Sequence, residues 1–356
     1  MNGKATAHSV VEASSRFKLF CGAIVVFYAL VTITPLLWIF LTSIKTSGDS
    51  IAYPPKVLSE PTLEGYCNLF EIRSRQTPEY MASLPAADGY CDKLARSRNM
   101  VIAGASKTPG RLVNSLLIGF SSTFFAVFLG TLAAYAFSRF RVPLADDLLF
   151  FILSTRMMPP IAVAIPIYLM FRQLGLSDTK LGMILLYTAV NVSLAVWLLK
   201  GFMDEIPREY EEAAMVDGYT RLQAFFKVVL PQATTGIAAT AIFCLIFAWN
   251  EYAFAVLLTS GDAQTMPPFI PFIIGEGGQD WPAVAAATRS HLRIAVRVNT
   301  VHRVMRFFLP IMPRAAPRIS SFSCSCRSRP SLPLRSKGRN LAMVKPCRPS
   351  ECAKNW

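Results

Sequence analysis

Five long apolar runs constrain this chain more than any other feature of its sequence. The hydrocarbon core of a bilayer is about 30 Å thick, and an α-helix of about 20 apolar residues crosses it. Helices in globular proteins average about 12 residues, so we interpret all five runs as membrane spans. The runs cover residues 19–41, 112–137, 148–171, 181–202 and 235–258.

The composition agrees with this interpretation, since 53% of the residues are hydrophobic and only 16% are charged. That balance is typical of a polytopic membrane protein. The first run is too long for a signal-peptide core and no convincing cleavage site follows it, so we expect an uncleaved anchor. The predicted fold class is all-α, a helical membrane bundle with five clear spans.

The net charge of +14 is confined to one end of the chain. Residues 1–288 contain 21 Lys/Arg and 21 Asp/Glu, whereas residues 289–356 contain 15 Lys/Arg and the single acid Glu351. The basic excess therefore says little about the main body, and no nucleic acid is predicted as a partner.

Basic residues in the short loops indicate the orientation, because they concentrate on the cytoplasmic side of a membrane. They place residues 1–18 and the loop 203–234 in the cytoplasm and the loop 45–111 outside. The external loop holds Cys67 and Cys91, for which an oxidising periplasm permits a disulfide. Pairing and two free thiols remain equally open. The basic residues that set the orientation are Arg16, Lys18, Arg139, Arg141, Lys200, Arg208, Arg221 and Lys227.

The cytoplasmic loop 203–234 has the pattern of a helix–turn–helix outside the membrane. Pro207 suits the first helical position, and Gly218 can end the helix in a left-handed conformation. A second helix is expected over residues 220–229, stopping before Pro231. Acids that suit the first helix dipole are Glu209, Glu211 and Glu212. A plain solvated linker would need neither two helices nor the paired alanines that follow these acids.

This loop resembles the "EAA" loop of bacterial ABC importer permeases, whose pattern is E-A-A-x3-G-x9-I-x-L-P. Val228 stands where the pattern has Ile. The flanking stretches "GFMDEIPREYEEAAMVDG" and "AIFCLIFAWNEYAFA" resemble the carbohydrate-uptake, maltose-type branch, and "STRMMPP" resembles its sorbitol/mannitol-type members. The resemblance covers about residues 15–288. The matching residues are Glu212, Ala213, Ala214, Gly218, Leu230 and Pro231.

The resemblance implies a transport subunit for a sugar or polyol in the bacterial inner membrane. Residues 212–218 would be the coupling helix that sits in a cleft of an ABC ATPase dimer. A periplasmic solute-binding protein would deliver the solute, and a second homologous permease subunit would complete the pore. The chain carries no G-x-x-x-x-G-K-[ST] phosphate loop, so ATP would be bound by the partner. No cofactor or metal is predicted, and no enzyme motif occurs.

Polar residues within spans are costly and are therefore candidates for the solute pathway. Arg156 and Glu251 lie at depths of ~12 and ~24 Å from the cytoplasmic start of their spans at 1.5 Å per residue, which argues against a direct pair. Each candidate also has a structural interpretation. Asn191 could form an interhelical hydrogen bond, and Asn250 and Glu251 could belong to a structural polar cluster. The two prolines could simply produce a packing kink. The candidates are Arg156, Pro159, Pro160, Asn191, Asn250 and Glu251.

The sequence departs from the permease pattern after Thr288. A sixth apolar span should begin near Trp281, yet "RSHLRIAVRVNTVHRVMRFF" follows, with five arginines. Three interpretations compete: an amphipathic interfacial helix, a basic extension, or translation in the wrong reading frame. We favour the third, since the change is abrupt and 12 of the 15 basic residues are Arg. Residues 289–356 would then have no packed fold.

Two other functions compete with the ATP-driven permease. An ion-coupled secondary transporter or channel would use Arg156 and Glu251 as a relay. A frameshifted permease would keep the fold without activity.

Overall fold

A computed structural model describes residues 15–57, 59–275 and 278–298 of the 356-residue chain. Most of the predicted cytoplasmic N-terminal segment and the tail from residue 299 onward lie outside this part. The tail cysteines fall there too, so the description below concerns the predicted permease body and the first residues of the basic region.

The first helix, α1 (Ser15–Thr42), is apolar on every side and none of its residues is buried. Leu19 and Phe27, for example, are 77% and 69% exposed. A helix that is hydrophobic all round is stable only inside a protein core or in lipid. Because α1 is also long enough to cross a bilayer, lipid is the environment that its surface fits.

The predicted external loop is not a plain loop but a small folded unit of helices and strands. Its two strands pair antiparallel, from Glu71 opposite Ala105 to Arg75 opposite Met100, with an irregularity after Ile72. This small sheet is a local feature of the external loop within the predicted all-α fold. We call residues 45–107 the loop subdomain. Its elements are α2 (Ser47–Ser50), α3 (Glu64–Phe70), β1 (Glu71–Arg75), α4 (Pro78–Ala82), α5 (Tyr90–Arg96) and β2 (Met100–Ala105).

Four helices follow the loop subdomain: α6 (Thr108–Arg139), α7 (Ala145–Met157), α8 (Pro160–Gln173) and α9 (Lys180–Asp204). Helices α6 and α9 pack closely, since a Cβ added at Gly130 would lie 2.6 Å from the Cβ of Ala195. The predicted third span is a bent pair, α7 and α8, with an angle of 90° between them. The predicted break at the two prolines is thus confirmed.

The EAA loop, residues 203–234, holds α10 (Glu209–Val216) and α11 (Arg221–Ala224). A π-helical turn (Phe225–Val229) and a short helix, α12 (Leu230–Gln232), continue α11 toward α13 (Thr234–Trp249). The prediction that the second helix stops before Pro231 is therefore wrong. Pro231 lies in the first turn of α12, where a missing backbone N–H costs little.

The predicted fifth span, residues 235–258, is also not one helix. It divides into α13 and α14 (Ala253–Leu258) at Asn250. The chain then forms α15 (Met266–Phe269), a 3₁₀ turn (Ile270–Phe272) and a hairpin of β3 (Ile274–Gly275) with β4 (Gly278–Gln279). This hairpin pairs only two residues on each strand.

The last described helix, α16 (Trp281–Val298), crosses the point where the sequence departs from the permease pattern. The expectation of no packed fold from residue 289 is wrong for residues 289–298. Arg289 donates a hydrogen bond of 2.7 Å to the Tyr66 hydroxyl, and its guanidinium lies 4.2 Å from the ring centre of Phe40. Arg289, the first arginine of the basic region, is thus held by partners on α3 and α1.

Within the described residues, α1, α6 and α9 are each long and apolar enough to cross a membrane. The number rises to five if each of two bent helix pairs counts as one span. One pair is α7 with α8. The other is the helical segment from Arg221 to Gln232 with α13, and its two parts meet at 72°. A buried core of Val127, Leu199, Met203, Val229 and Leu245 joins α6, α9 and α13 to the EAA loop.

Candidate functional site

One buried carboxylate fixes the position of α10 against the end of α6. The Glu211 carboxylate accepts a hydrogen bond from Arg139 Nε at 3.1 Å and another from the Tyr135 hydroxyl. The side chains of Glu211 and Arg139 are each only 4% exposed. A buried charge pair of this kind is very sensitive to loss of either partner, so α10 is held in one place.

Two further arginine contacts tie the loop to the same helix end. Arg139 also donates to the carbonyl oxygen of Ile206 at 2.8 Å, and Arg208 donates to the carbonyl oxygen of Ser138 at 2.6 Å. The residues on both sides of Pro207 are therefore bound to the last turn of α6. The start of α10 cannot move without moving α6.

The turn between α10 and α11 is set by glycine and by a capping box. Gly218 has φ = +92°, as the sequence predicted, and the N–H of Tyr219 reaches back to the carbonyl oxygen of Ala214 at 3.1 Å. This is the hydrogen bond of a Schellman helix end. Thr220 and Gln223 then exchange hydrogen bonds of 2.9 and 3.3 Å that start α11.

The inner face of the EAA loop packs on the bundle core. The Phe225 ring centre lies 4.5 Å from that of Tyr135, and Val229 and Leu230 are buried beside it. Ala214 is also buried, at 6% exposure. Two of the predicted coupling residues, Ala214 and Leu230, thus face the core of this chain rather than its surface.

The outer face of the loop is exposed and carries the rest of the motif. Glu212, Ala213 and Gly218 are exposed, while Pro231 is half-buried. Large apolar side chains lie around them, with Val216 87% and Leu222 70% exposed. Exposed apolar side chains rimmed by polar groups are typical of a protein-binding surface. We call this set, with Tyr210, the EAA face.

A second group of predicted residues lies within the bundle. Arg156, at the end of α7, donates to the Asn191 side chain and to the Val190 carbonyl oxygen, each at 3.2 Å. Its guanidinium also lies 4.2 Å from the ring centre of Phe247. Asn191 is 3% exposed. The predicted interhelical hydrogen bond of Asn191 is therefore present, between α9 and α7.

Glu251 has other partners than Arg156. Its carboxylate accepts the Tyr187 hydroxyl at 2.9 Å and the N–H groups of Phe254 and Ala255 at 2.9 and 3.1 Å. The carboxylate thus caps the start of α14, which explains the break in the predicted fifth span. Asn250 is exposed and bonds locally to its own helix at 2.9 Å.

The remaining candidates lie apart from both groups. Pro159 and Pro160 are exposed at the α7–α8 break. Cys67 and Cys91 form a disulfide in the loop subdomain, with their Cα atoms 5.6 Å apart. Among the described residues, no three His, Cys, Asp or Glu side chains gather as metal ligands.

The sequence did not single out Glu211, Tyr135 or Arg139 as the anchor of this loop. A signal existed, because Arg139 lies just after a span and three acids open α10. Which of the three acids turns inward depends on the angle at which α10 meets α6. That angle is a tertiary property that the motif does not contain.

Long apolar helices around an anchored helix–turn–helix with an exposed face define a multi-pass membrane protein. A family model described as "Binding-protein-dependent transport system inner membrane component" matches residues 126–288. The match ends at Thr288, where the sequence departs from the permease pattern.

Comparison with known proteins gives the family. A probable ABC transporter permease protein of Sinorhizobium fredii is 31% identical over 259 residues, 73% of this chain and 81% of that protein. The inner membrane ABC transporter permease protein YcjP of Escherichia coli is 29% identical over 276 residues, 77% and 87% of the two chains. The chain therefore belongs to the inner-membrane permeases of ABC transport systems, as its EAA motif predicted.

The fold agrees with this family. A crystal structure of a bacterial ABC transporter that imports the acidic polysaccharide alginate superposes with a TM-score of 0.58 at 20% identity, covering 82% of this chain and 98% of that chain. The predicted helical permease bundle is thus confirmed. A further relative, the sulfoquinovosyl glycerol transport permease SmoH of Agrobacterium fabrum, is 28% identical over 71% of this chain and 78% of its own length.

Proposed function

We propose that this chain is the membrane-spanning permease subunit of an ATP-driven importer for a sugar or polyol, and that the EAA face receives a separate ABC ATPase. The observation that carries this proposal is the division of the EAA loop into two faces. Glu211 anchors its inner face, while Glu212, Ala213 and Gly218 remain exposed on its outer face.

This division suits the transmission of force. A docking helix on a mobile linker would absorb the movement of its partner, because the linker would bend first. Here α10 is bound to α6 through Glu211, Arg139 and Arg208, with Glu211 among the most buried charged residues. A push on the EAA face therefore has to tilt α6, which packs against α9.

The membrane orientation follows from the same proposal. The EAA face would lie in the cytoplasm, where ATP is available, and the N-terminus would lie on the same side as the end of α6. The loop subdomain joins the other end of α6, so it would be external. A disulfide between Cys67 and Cys91 fits an oxidising compartment there.

The partners and the solute class rest on the relatives. The family description names binding-protein-dependent transport, which supports a periplasmic solute-binding protein. Relatives named for a solute handle sulfoquinovosyl glycerol, trehalose or diacetylchitobiose, all of which carry sugar rings. A second homologous permease subunit would supply the other half of the pathway.

The polar groups of the bundle are the candidate pathway. Arg156 and Asn191 join α7 to α9 at the broken third span, and broken helices line solute paths in transporters. Glu251 caps α14 and binds Tyr187, so we assign it a structural role near the same path. Arg156 and Glu251 have separate partners, which disfavours a charge relay between them.

Purification of the chain with its ATPase tests the proposal. Glu212→Lys and Gly218→Val should abolish co-purification and ATP-dependent uptake, because both change the EAA face. Glu205→Lys is the matched control, since Glu205 is an equally exposed acid outside the motif. Uptake driven by an ion gradient without any ATPase would contradict the proposal. An ATPase that binds without any solute uptake would instead indicate an inactive permease.

A further inference from the structure

A cavity of about 820 Å³ opens between the loop subdomain, the start of α6 and the start of α16. Pockets for small molecules usually measure about 300 to 1,000 Å³, so its size suits a ligand of a few rings. Thr108, the first residue of α6, lines it, while Arg139 at the other end of α6 binds Glu211. The cavity and the EAA face are therefore separated by the length of α6, ~48 Å at 1.5 Å per residue.

Three residues that line this cavity carry buried side-chain atoms without hydrogen-bond partners in the described part of the chain. These atoms are the side-chain oxygen Oδ1 of Asn68, the carboxylate oxygen Oε2 of Glu71 and the guanidinium Nε of Arg73. Buried polar atoms almost always have a partner, and each exception needs an explanation. Two of these atoms accept hydrogen bonds and one donates.

Arg73 is nearly buried and has only weak polar contacts. Its side chain is 6% exposed, yet its contacts are long: 3.9 Å to Glu71 Oε2 and 3.4 Å to the Cys91 carbonyl oxygen. Burial lowers the pKa of its guanidinium despite the opposing effect of the Glu71 carboxylate. A polar ligand would relieve this desolvation.

Other charged groups make the wall rigid and nearly neutral. Glu64 pairs with Arg98, and the Asp280 carboxylate accepts the Asn68 amide at 2.6 Å and the Ala283 N–H at 3.2 Å. Asp280 thereby links the loop subdomain to the start of α16. The charges that remain at the cavity are almost balanced in sign, so it is not a strong anion or cation site.

Exposed aromatic rings complete the lining. Phe272 is 58% and Trp281 46% exposed, and Phe269 lies beside them. Aromatic side chains offer a flat apolar surface, and such surfaces together with a few fixed polar groups are typical of ligand sites. The apolar C–H face of a sugar ring fits against such a surface.

We propose that this cavity binds a neutral saccharide or polyol at the end of the bundle opposite the EAA face. A hydroxyl group both donates and accepts hydrogen bonds, so a cluster of hydroxyls suits a lining that includes an amide, carboxylates and guanidinium groups. An anionic group could only accept. The solute class rests on the proposed function, whereas the site rests on the cavity wall.

Binding measurements on the full chain in lipid nanodiscs, without any ATPase, test this inference. Trehalose and diacetylchitobiose are the neutral probes and glucuronate is the anionic comparison, each titrated while ligand-observed NMR reports binding. We expect saturable binding of a neutral probe with a Kd of about 1 mM, the weak end of the affinity scale. Arg73→Met should weaken it at least about tenfold, equivalent to 1.4 kcal/mol.

Two further variants separate binding from folding. Arg96→Gln breaks an ion pair with Asp92 in the same subdomain but outside the cavity, so binding should not change. Phe272→Ala removes an exposed ring and should weaken binding while the disulfide stays intact. Failure of both neutral probes to bind, tighter binding of glucuronate, or equal losses in Arg73→Met and Arg96→Gln would overturn the inference. Since no ATPase is present, none of these results bears on the EAA face.

Discussion

Replacing Glu211 with alanine should destabilise this chain strongly, whereas the same change at Glu212 should not. The Glu211 carboxylate lies 3.1 Å from Arg139 Nε, and each of these side chains is 4% exposed. The Tyr135 hydroxyl donates a hydrogen bond to the same carboxylate. The substitution leaves a buried guanidinium without its counter-charge. Breaking a buried ion pair on one side costs about 3 to 5 kcal/mol of unfolding free energy.

The remaining contacts of Arg139 place the expected loss at the lower end of that range. Its guanidinium keeps a hydrogen bond of 2.8 Å to the Ile206 carbonyl oxygen and one of 3.3 Å to the Ser138 hydroxyl. Glu211→Gln retains an oxygen acceptor for Tyr135 but loses the charge. We expect it to cost about 1.5 to 3 kcal/mol, the contribution of a hydrogen bond to a charged group.

Denaturant unfolding of the purified chain in detergent measures these free energies. A double-mutant cycle with Arg139→Met isolates the pair, because adjacent residues that interact give non-additive losses. Glu212→Ala is the control and should change stability by no more than about 0.5 kcal/mol, as exposed substitutions usually do. Equal losses at Glu211 and Glu212, or additive losses in the cycle, would refute the anchoring role.

Three other substitutions should have measurable effects on stability. Gly130→Ala places a Cβ 2.6 Å from that of Ala195, so it should cost about 1 to 3 kcal/mol by overpacking α6 against α9, measured by thermal unfolding. Replacing both Cys67 and Cys91 with serine removes a disulfide between residues 24 positions apart. The free energy of unfolding should fall by about 3 kcal/mol, which faster proteolysis of the loop subdomain would reveal. Arg289→Ala removes a hydrogen bond of 2.7 Å and a ring contact and should release α16 to proteases; unchanged cleavage would contradict its role in holding that helix.

The features that the sequence predicted well depend on local chemistry. Gly218 ends α10 with a positive φ that glycine adopts without strain, and Pro159 and Pro160 cannot continue α7 because neither has a backbone N–H to donate. The EAA motif is likewise a contiguous pattern, and it identified the family. Short-range steric rules of this kind can be read from one chain.

The features that it missed depend on partners distant in sequence. Glu211 is separated from Arg139 by 72 positions, and Arg289 from Tyr66 by 223. Glu251 was a candidate for the pathway or for a structural polar cluster, and its carboxylate caps α14. In each case the sequence indicated a charged residue of interest but not its partner, because the way the helices pack determines the partner.

The length of α6 connects the two ends of this permease. Its first turn lines the cavity of the loop subdomain, and its last turn holds α10 through Arg139 and Glu211. Over its central turns it packs closely against α9, where the lack of a side chain at Gly130 leaves room for Ala195. A helix held so tightly along its length can respond to either end mainly by tilting as one body. Loosening the Glu211 anchor should therefore reduce ATP-driven uptake while saccharide binding at the far end stays unchanged, because the anchor transmits movement and does not shape the cavity.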